Sequence, residues 1–142
     1  MPGYSGTPLA KKLGFAPPLK VQLAGAPREY MDWLGELPPG VTFTTRRSKV
    51  VAAAHVFVTR RAILTRHLVD LRQSLEQAGW VWVSWPKKTS KVETDLTEDV
   101  IRDVALPMGF VDIKVCAVSD VWSGLKLVIR KSERSATTRP RG

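Results

Sequence analysis

Arginine and lysine recur in this 142-residue chain where strand-like runs give way to turns: Arg28, Arg46 with Arg47, Arg60 with Arg61, and Lys87 with Lys88. Guanidinium and ammonium groups placed together suit an anion, above all a phosphate, because they bring charge and N–H donors but no acceptor. Arg60 and Arg61 stand at or just before a predicted helix start, where the macrodipole disfavours each cation by about 0.3–1 kcal/mol. A bound anion would relieve that conflict. The segment 89–94, with Lys87, Lys88 and Lys91, reads either as a loop able to close over the same anion or as a plain polar connection. Trp85 and Trp122 fall at strand ends, where an indole can stack on a base. Trp80 and Trp82 lie inside an apolar run and Trp33 on a helix, as packing residues. Gly25 completes the candidate set, in the turn Gly25-Ala26-Pro27-Arg28, because glycine lets backbone approach a ligand closely. The competing reading of the basic residues is ordinary solvated loop charge.

The remaining reactive side chains carry less. His55 sits within an apolar strand and His67 on a helix beside Arg66, and neither has partners at metal-ligand spacing. Cys116 reads as a small packed residue with a weak chance of reactivity. Asp95, Glu98 and Asp99 are better explained as a helix start than as an acid–base group, Asp95 and Glu98 having the spacing of a capping box. No nucleophile, base and orienting group assemble. The sequence therefore assigns no catalytic residue, no metal and no cofactor, and leans away from an enzyme.

A formal charge of +9 and a pI of about 10.1 point to anionic partners, nucleic acid or phosphorylated molecules among them. The tail from 131 to 142 contributes a net +3 and leaves +6 on the body. With 44% hydrophobic and 25% charged residues the chain can bury one core. A single cysteine rules out an internal disulfide and fits a reducing compartment, with cytoplasm the expectation. No leader-like run or membrane-spanning stretch is predicted, so no membrane partner is expected.

The elements that must position these residues alternate. Glycine and proline make residues 1–19 an extended arm with at most one helical turn around Leu9–Leu13. A strand follows at 20–24, then a helix opened by Pro27 with Tyr30, Met31, Leu34 and Leu37 at helical spacing. Short and central strands are predicted at 41–45 and 50–58. Leu64, Leu68, Leu71 and Leu75 stripe a helix over roughly 61–78 that Gly79 would cap. A third buried strand covers 80–85, a helix about 96–107, and alternating strands begin at Phe110 (with Val111, Ile113, Val115 and Ala117 on one face) and again before Leu125. The connection from Ser119 to Trp122 is too short for a parallel crossover, so the last two strands should be antiparallel. The predicted fold is α/β, a Rossmann-like three-layer open sheet of about six strands, mostly parallel with one antiparallel strand near an edge. The domain should span 20–130, followed by a disordered basic tail at 131–142.

Four separated motifs resemble a bacterial family: residues 3–14 (GYSGTPLAKKLG), 82–88 (WVSWPKK), 95–100 (DLTEDV), and 115–118 with 122–126 (VCAV…WSGLK). The chain is identified as a member of the domain-of-unknown-function family numbered 3052, over about residues 3–130. More distantly, the element order of 50–130 is similar to the fold of S-adenosylmethionine-dependent methyltransferases. By that analogy one strand–helix unit is missing and the strand order would be 2-1-3-4-6-5. The residues depart from those relatives: one glycine where several are expected, Pro27 without an N–H, Thr45-Arg46-Arg47 in place of a ribose-binding acid, and Thr59-Arg60-Arg61 in place of the proline-rich tetrapeptide.

Three functions follow as expectations. The first is a non-enzymatic domain binding an anionic ligand, nucleotide-like or nucleic acid, at a basic rim formed outside the carboxyl ends of the strands. The second is a diverged methyltransferase-like enzyme. The third is a protein–protein module that uses its reversed edge strand and N-terminal arm.

Overall fold

The computed structural model describes residues 8–134. Six strands, β1 (Leu19–Ala24), β2 (Val41–Thr44), β3 (Val51–Phe57), β4 (Leu75–Pro86), β5 (Phe110–Ala117) and β6 (Trp122–Ile129), form one sheet in the order β2-β1-β3-β4-β6-β5. β1, β2, β3 and β4 are mutually parallel, while β6 runs antiparallel to both β4 and β5. The sheet is thus mostly parallel with one reversed strand, and the reversed strand lies one place in from the edge. The edge itself is β5.

Burial at alternate positions divides the core into two layers. On one face Ala54, Val56, Val81, Val83, Leu125 and Leu127 pack beneath α3 (Arg61–Ser74) and α4 (Glu98–Ala105). On the other, Val21, Leu23, Ala53, Phe57 and Trp82 pack beneath α1 (Leu9–Lys12) and α2 (Tyr30–Leu34). The helical turn expected near Leu9 is present as α1. Leu9, Ala10, Leu13 and Phe15 are buried, and the Trp82 indole N–H donates to the Leu13 carbonyl at 2.9 Å, so this stretch is part of the core and not a free arm. The chain also continues in order past 130: Lys131–Glu133 form a 3-10 turn, and Arg134 Nε donates to the Ile129 carbonyl at 2.9 Å. The rest of the expected tail lies outside the described residues.

Four local expectations are corrected. The leucine stripe is real, but α3 ends at Ser74, because Leu75 turns extended and pairs with Val51 to begin β4. Gly79 is therefore no cap. A Cβ there would lie 2.8 Å from the Ala52 carbonyl oxygen, so its absence lets β4 approach β3. Asp95 does not cap the helix that follows it: Thr97 does, accepting from Val100 N at 3.1 Å. In β5 a register shift between Asp112 and Lys114 turns Val111 toward one face and Val115 toward the other, with Val115 and Ile113 exposed.

β3 is buried on both sides, as its apolar run requires, yet it carries His55 with no exposed surface. The ring is satisfied from two elements: the Tyr30 hydroxyl lies 2.7 Å from Nδ1 and the Ser84 hydroxyl 2.7 Å from Nε2. Burial pushes the imidazole down to about 3 from its ordinary 6.5, so it is neutral in the folded state. In the unfolded chain it protonates near pH 6.5, which makes its contribution to stability complete above that pH and progressively lost between 6.5 and 3. Urea denaturation measured across this range should show a loss of stability on acidification that is smaller in His55→Gln. Ser84→Ala should cost about 1–3 kcal/mol at neutral pH by leaving a buried ring nitrogen unpaired.

Candidate functional site

Because β1 to β4 are parallel, the segments that follow them begin at one end of the sheet. The first, after Ala24, is held by Gly25 at φ +70°, where an added Cβ would come within 2.6 Å of the Phe57 carbonyl oxygen. Gly25 thus seats the β1 turn on the end of β3. The second, after Thr44, behaves differently. Residues 45–50 are the whole connection from β2 to β3, too short for the usual crossover helix. This link is tied to β1 by Ser48 N donating to Gln22 Oε1 at 2.9 Å and to α3 by Arg47 against Asp70 at 2.9 Å. No crossover helix therefore lies between β2 and β3, and a cleft opens beside α3 instead.

The cleft has a volume of about 480 Å3 and is bounded by Gly25, Thr45, Arg47, Arg66, His67 and Asp70. Beyond Arg47 a second recess of about 250 Å3 shares Gln22, Arg47 and Asp70 and adds Lys49 and Gln73. Burial holds the His67 imidazole below its ordinary value; the Asp70 carboxylate opposes this and the Arg47 charge reinforces it. At neutral pH the ring offers one donor and one acceptor. Chemically the cleft has an apolar floor, with Leu23, Val56, Ile63 and Leu71 among its lining, and a polar wall where Arg66, His67 and the Arg47–Asp70 pair supply charge and hydrogen-bonding groups. Among the described residues no group of three or more His, Cys, Asp or Glu is placed to hold a metal ion.

The residues expected at the rim separate into several places. Gly25 and Arg47 border the cleft. Arg28 and Arg46 are exposed, the latter with its N–H on Thr44 Oγ1 at 3.1 Å. Arg60 lies 4.0 Å from Glu93, both exposed. Arg61 opens α3, and its backbone N–H donates to Asp95 Oδ1 at 2.7 Å, so the carboxylate that faces this helix start belongs to the protein. Lys87 is half-buried with its N–H on the Val121 carbonyl at 2.7 Å, while Lys88 and Lys91 are exposed around the 3-10 turn Lys88–Ser90. Trp122 is half-buried edge-on to Phe57 at 5.1 Å. Trp85 is corrected: it is 7% exposed and packs in the core under α3 and α4, so it has no face to offer a base.

Sequence reasoning did not assign Arg66, His67 or Asp70 to the site. Their spacing on the polar side of α3 was visible, but nothing local shows that this side faces β1 and the 45–50 link. Two substitutions test the local geometry by chemical denaturation. Asp95→Ala should lower stability by about 0.5–2 kcal/mol through loss of the cap on α3. Gly25→Ala should be destabilising by more than about 1 kcal/mol, since it combines positive φ with a backbone clash.

The fold is that of known methyltransferases. The chain is similar to a Sulfolobus solfataricus protein assigned to the type 11 methyltransferases, at 12% identity and a TM-score of 0.64, over 93% of this chain and 95% of that one. It is likewise similar to an S-adenosylmethionine-dependent methyltransferase from Aquifex aeolicus, at 11% identity and a TM-score of 0.59, over 85% and 87%. A ribosomal protein L11 methylase from Lactobacillus delbrueckii subsp. bulgaricus gives 13% identity and a TM-score of 0.54, over 86% and 77%. Identities this low carry the fold alone. The residues here do not fit S-adenosylmethionine. Gly25 is used against Phe57 and not to clear space, Pro27 lacks an N–H, and Thr45 with Arg46 stands where a carboxylate would accept from ribose. Among the described residues the one carboxylate lining the cleft, Asp70, is held by Arg47.

No curated protein matches the sequence. The model of the family described as "Protein of unknown function (DUF3052)" matches residues 57–131, just over half of the chain; three of the four motifs fall within that span, and the motif at residues 3–14 lies outside it. The chain belongs to the DUF3052 family.

Proposed function

We propose that this domain is a non-enzymatic binding module for a small anionic ligand of nucleotide-like chemistry, held in the cleft between the β1 turn, the 45–50 link and α3. The observation that carries this reading is the cleft itself: about 480 Å3 at the carboxyl ends of β1 and β2, with Arg47, Arg66 and a neutral imidazole on its wall. That volume lies within the range of small-molecule sites, and its position is where open α/β sheets bind ligands. Arg66 has no carboxylate within 4.0 Å among the described residues, so its charge is available. Lys49 in the neighbouring recess extends the cationic surface for a second phosphate.

The aromatic residues do not share this cleft. Trp85 is in the core and Trp122 packs on Phe57 in the layer under α1 and α2, away from the α3 side. His67 is the one aromatic ring on the cleft wall. The reading therefore favours a mononucleotide-sized anion over a run of stacked bases.

Thermal unfolding in the presence of mononucleotides, dinucleotides, S-adenosylmethionine and short single-stranded oligonucleotides tests the proposal. A ligand at about 100 times its dissociation constant adds about 2.7 kcal/mol, a rise in Tm of several degrees for a domain of this size. The expected result is a rise with a phosphate-bearing nucleotide that shrinks with salt and is reduced at least about tenfold in affinity by Arg66→Glu. Stabilisation by S-adenosylmethionine alone, or nucleotide binding unchanged in Arg66→Glu, overturns it.

A further inference from the structure

On the opposite face of the sheet, under α1, two lysines meet across paired strands, and among the described residues no carboxylate answers them. Lys114 on β5 and Lys126 on β6 are cross-strand partners, the arrangement in which like charges are destabilising. The Lys126 ammonium lies over the Trp80 ring, 4.8 Å from its centroid, and 6.0 Å from that of Trp82. Cys116 sits two residues on from Lys114, opposite Gly124; burial pushes its thiol up from the ordinary value, and the charges of Lys12 of α1 and Lys114 oppose that rise. Lys12 and Lys126 are half-buried.

Elsewhere the protein answers a confined cation with a carboxylate. Arg102 receives Glu98, Asp99 and Asp112, and Arg72 receives Glu133. Among the described residues, Lys12, Lys114 and Lys126 have no carboxylate within 4.0 Å. Indole faces offset part of the charge on Lys126, while the exposed Lys114 is left to solvent.

We infer that Lys12, Lys114 and Lys126 form a second anion site, separate from the α3 cleft, that takes a phosphate group beside the Trp80 ring. A phosphate accepts from three ammonium groups at once and removes the repulsion between the paired strands. Burial and the Lys114 charge both lower the Lys126 ammonium from its ordinary value, and a bound dianion would oppose that shift. Gly14 borders the patch: a Cβ there would lie 3.8 Å from Lys126 Nζ and 3.7 Å from Trp80 Cζ2, so the approach carries no side chain of its own.

Cys116 is the chain's single cysteine and reports directly on this patch. The intact protein is treated with a dianionic aromatic disulfide and, in parallel, with a neutral pyridyl disulfide, in inorganic phosphate or in chloride of equal ionic strength. The site predicts that the anionic reagent gains about tenfold relative to the neutral one at low salt, and that phosphate slows both well beyond chloride. Lys126→Gln and the exposed Lys114→Gln should each lose the phosphate effect, whereas Arg66→Glu should keep it. Pyrophosphate and a mononucleotide, as further arms, separate a free phosphate from one carried on a nucleoside. Equal slowing by phosphate and chloride, or retention of phosphate protection in Lys114→Gln, overturns the inference. Because Lys114 is exposed, that variant is decisive even if Lys126→Gln does not fold. Loss of nucleotide binding at the α3 cleft alone would leave this site standing.

Discussion

An imidazole with no exposed surface tolerates few arrangements of its neighbours. His55 sits in the central strand of the sheet, and a neutral ring has one donor and one acceptor, so one flanking hydroxyl must donate to it and the other accept from it. Tyr30 reaches it from α2 and Ser84 from β4, which fixes the helix that follows β1 and the strand that follows α3 to the same point. Phe57 stacks on the ring at 4.4 Å, and Trp122 meets Phe57 edge-on at 5.1 Å. A line of packed rings thus runs from the middle of the sheet to the place where β4 ends and β6 begins. With α2 held there, the β1 turn has to lie against the end of β3, which is why only glycine fits at residue 25.

The second constraint is the brevity of the chain between β2 and β3. A parallel pair flanking a third strand is normally joined by a helix that covers the sheet. Here six residues make that crossing, and they bring Arg47 to Asp70 where a helix would otherwise pack. The α3 side of β1 keeps only polar or small residues, Lys20, Gln22 and Ala24, none of them fully buried. The cleft is therefore a consequence of the short link, which leaves that part of the α3 side of the sheet without a covering helix.

What could be read from residue order was what local physics decides. The apolar runs of β3 and β4, the leucine stripe of α3, the antiparallel last pair and the reversed strand near the edge follow from periodicity and connection length, and the strand order from analogy. What could not be read depended on partners far along the chain. Asp95 has the spacing of a capping residue for the helix beside it but caps α3, 34 residues away. Gly79 has the look of a helix end but serves the approach of β4 to β3. One extra residue in β5 moved Val115 across the sheet from Val111, which no alternation pattern reveals. The basic rim was legible as a set of residues but not as a place, because Arg60 lies by Glu93, Lys87 is held to Val121 and Trp85 is in the core, while of the expected residues Gly25 and Arg47 border the cleft.

The distribution of counter-charges separates structural cations from the rest. Arg72 and Arg102 are partly buried, and each is met by acceptors close in space, Arg72 by Glu133 and the Met108 carbonyl and Arg102 by the carboxylates of Glu98, Asp99 and Asp112, as a cation removed from water requires. Exposed cations such as Lys88 and Lys91 need no partner, since water solvates them. Lys126 belongs to neither class, being half-buried, set over an indole and opposed by another lysine, and Arg66 on the cleft wall is likewise unmatched. A net charge of +9 spread over solvated loops would need no explanation. Charge left unmatched where side chains crowd together does, and it is this charge that the two proposed anion sites would answer.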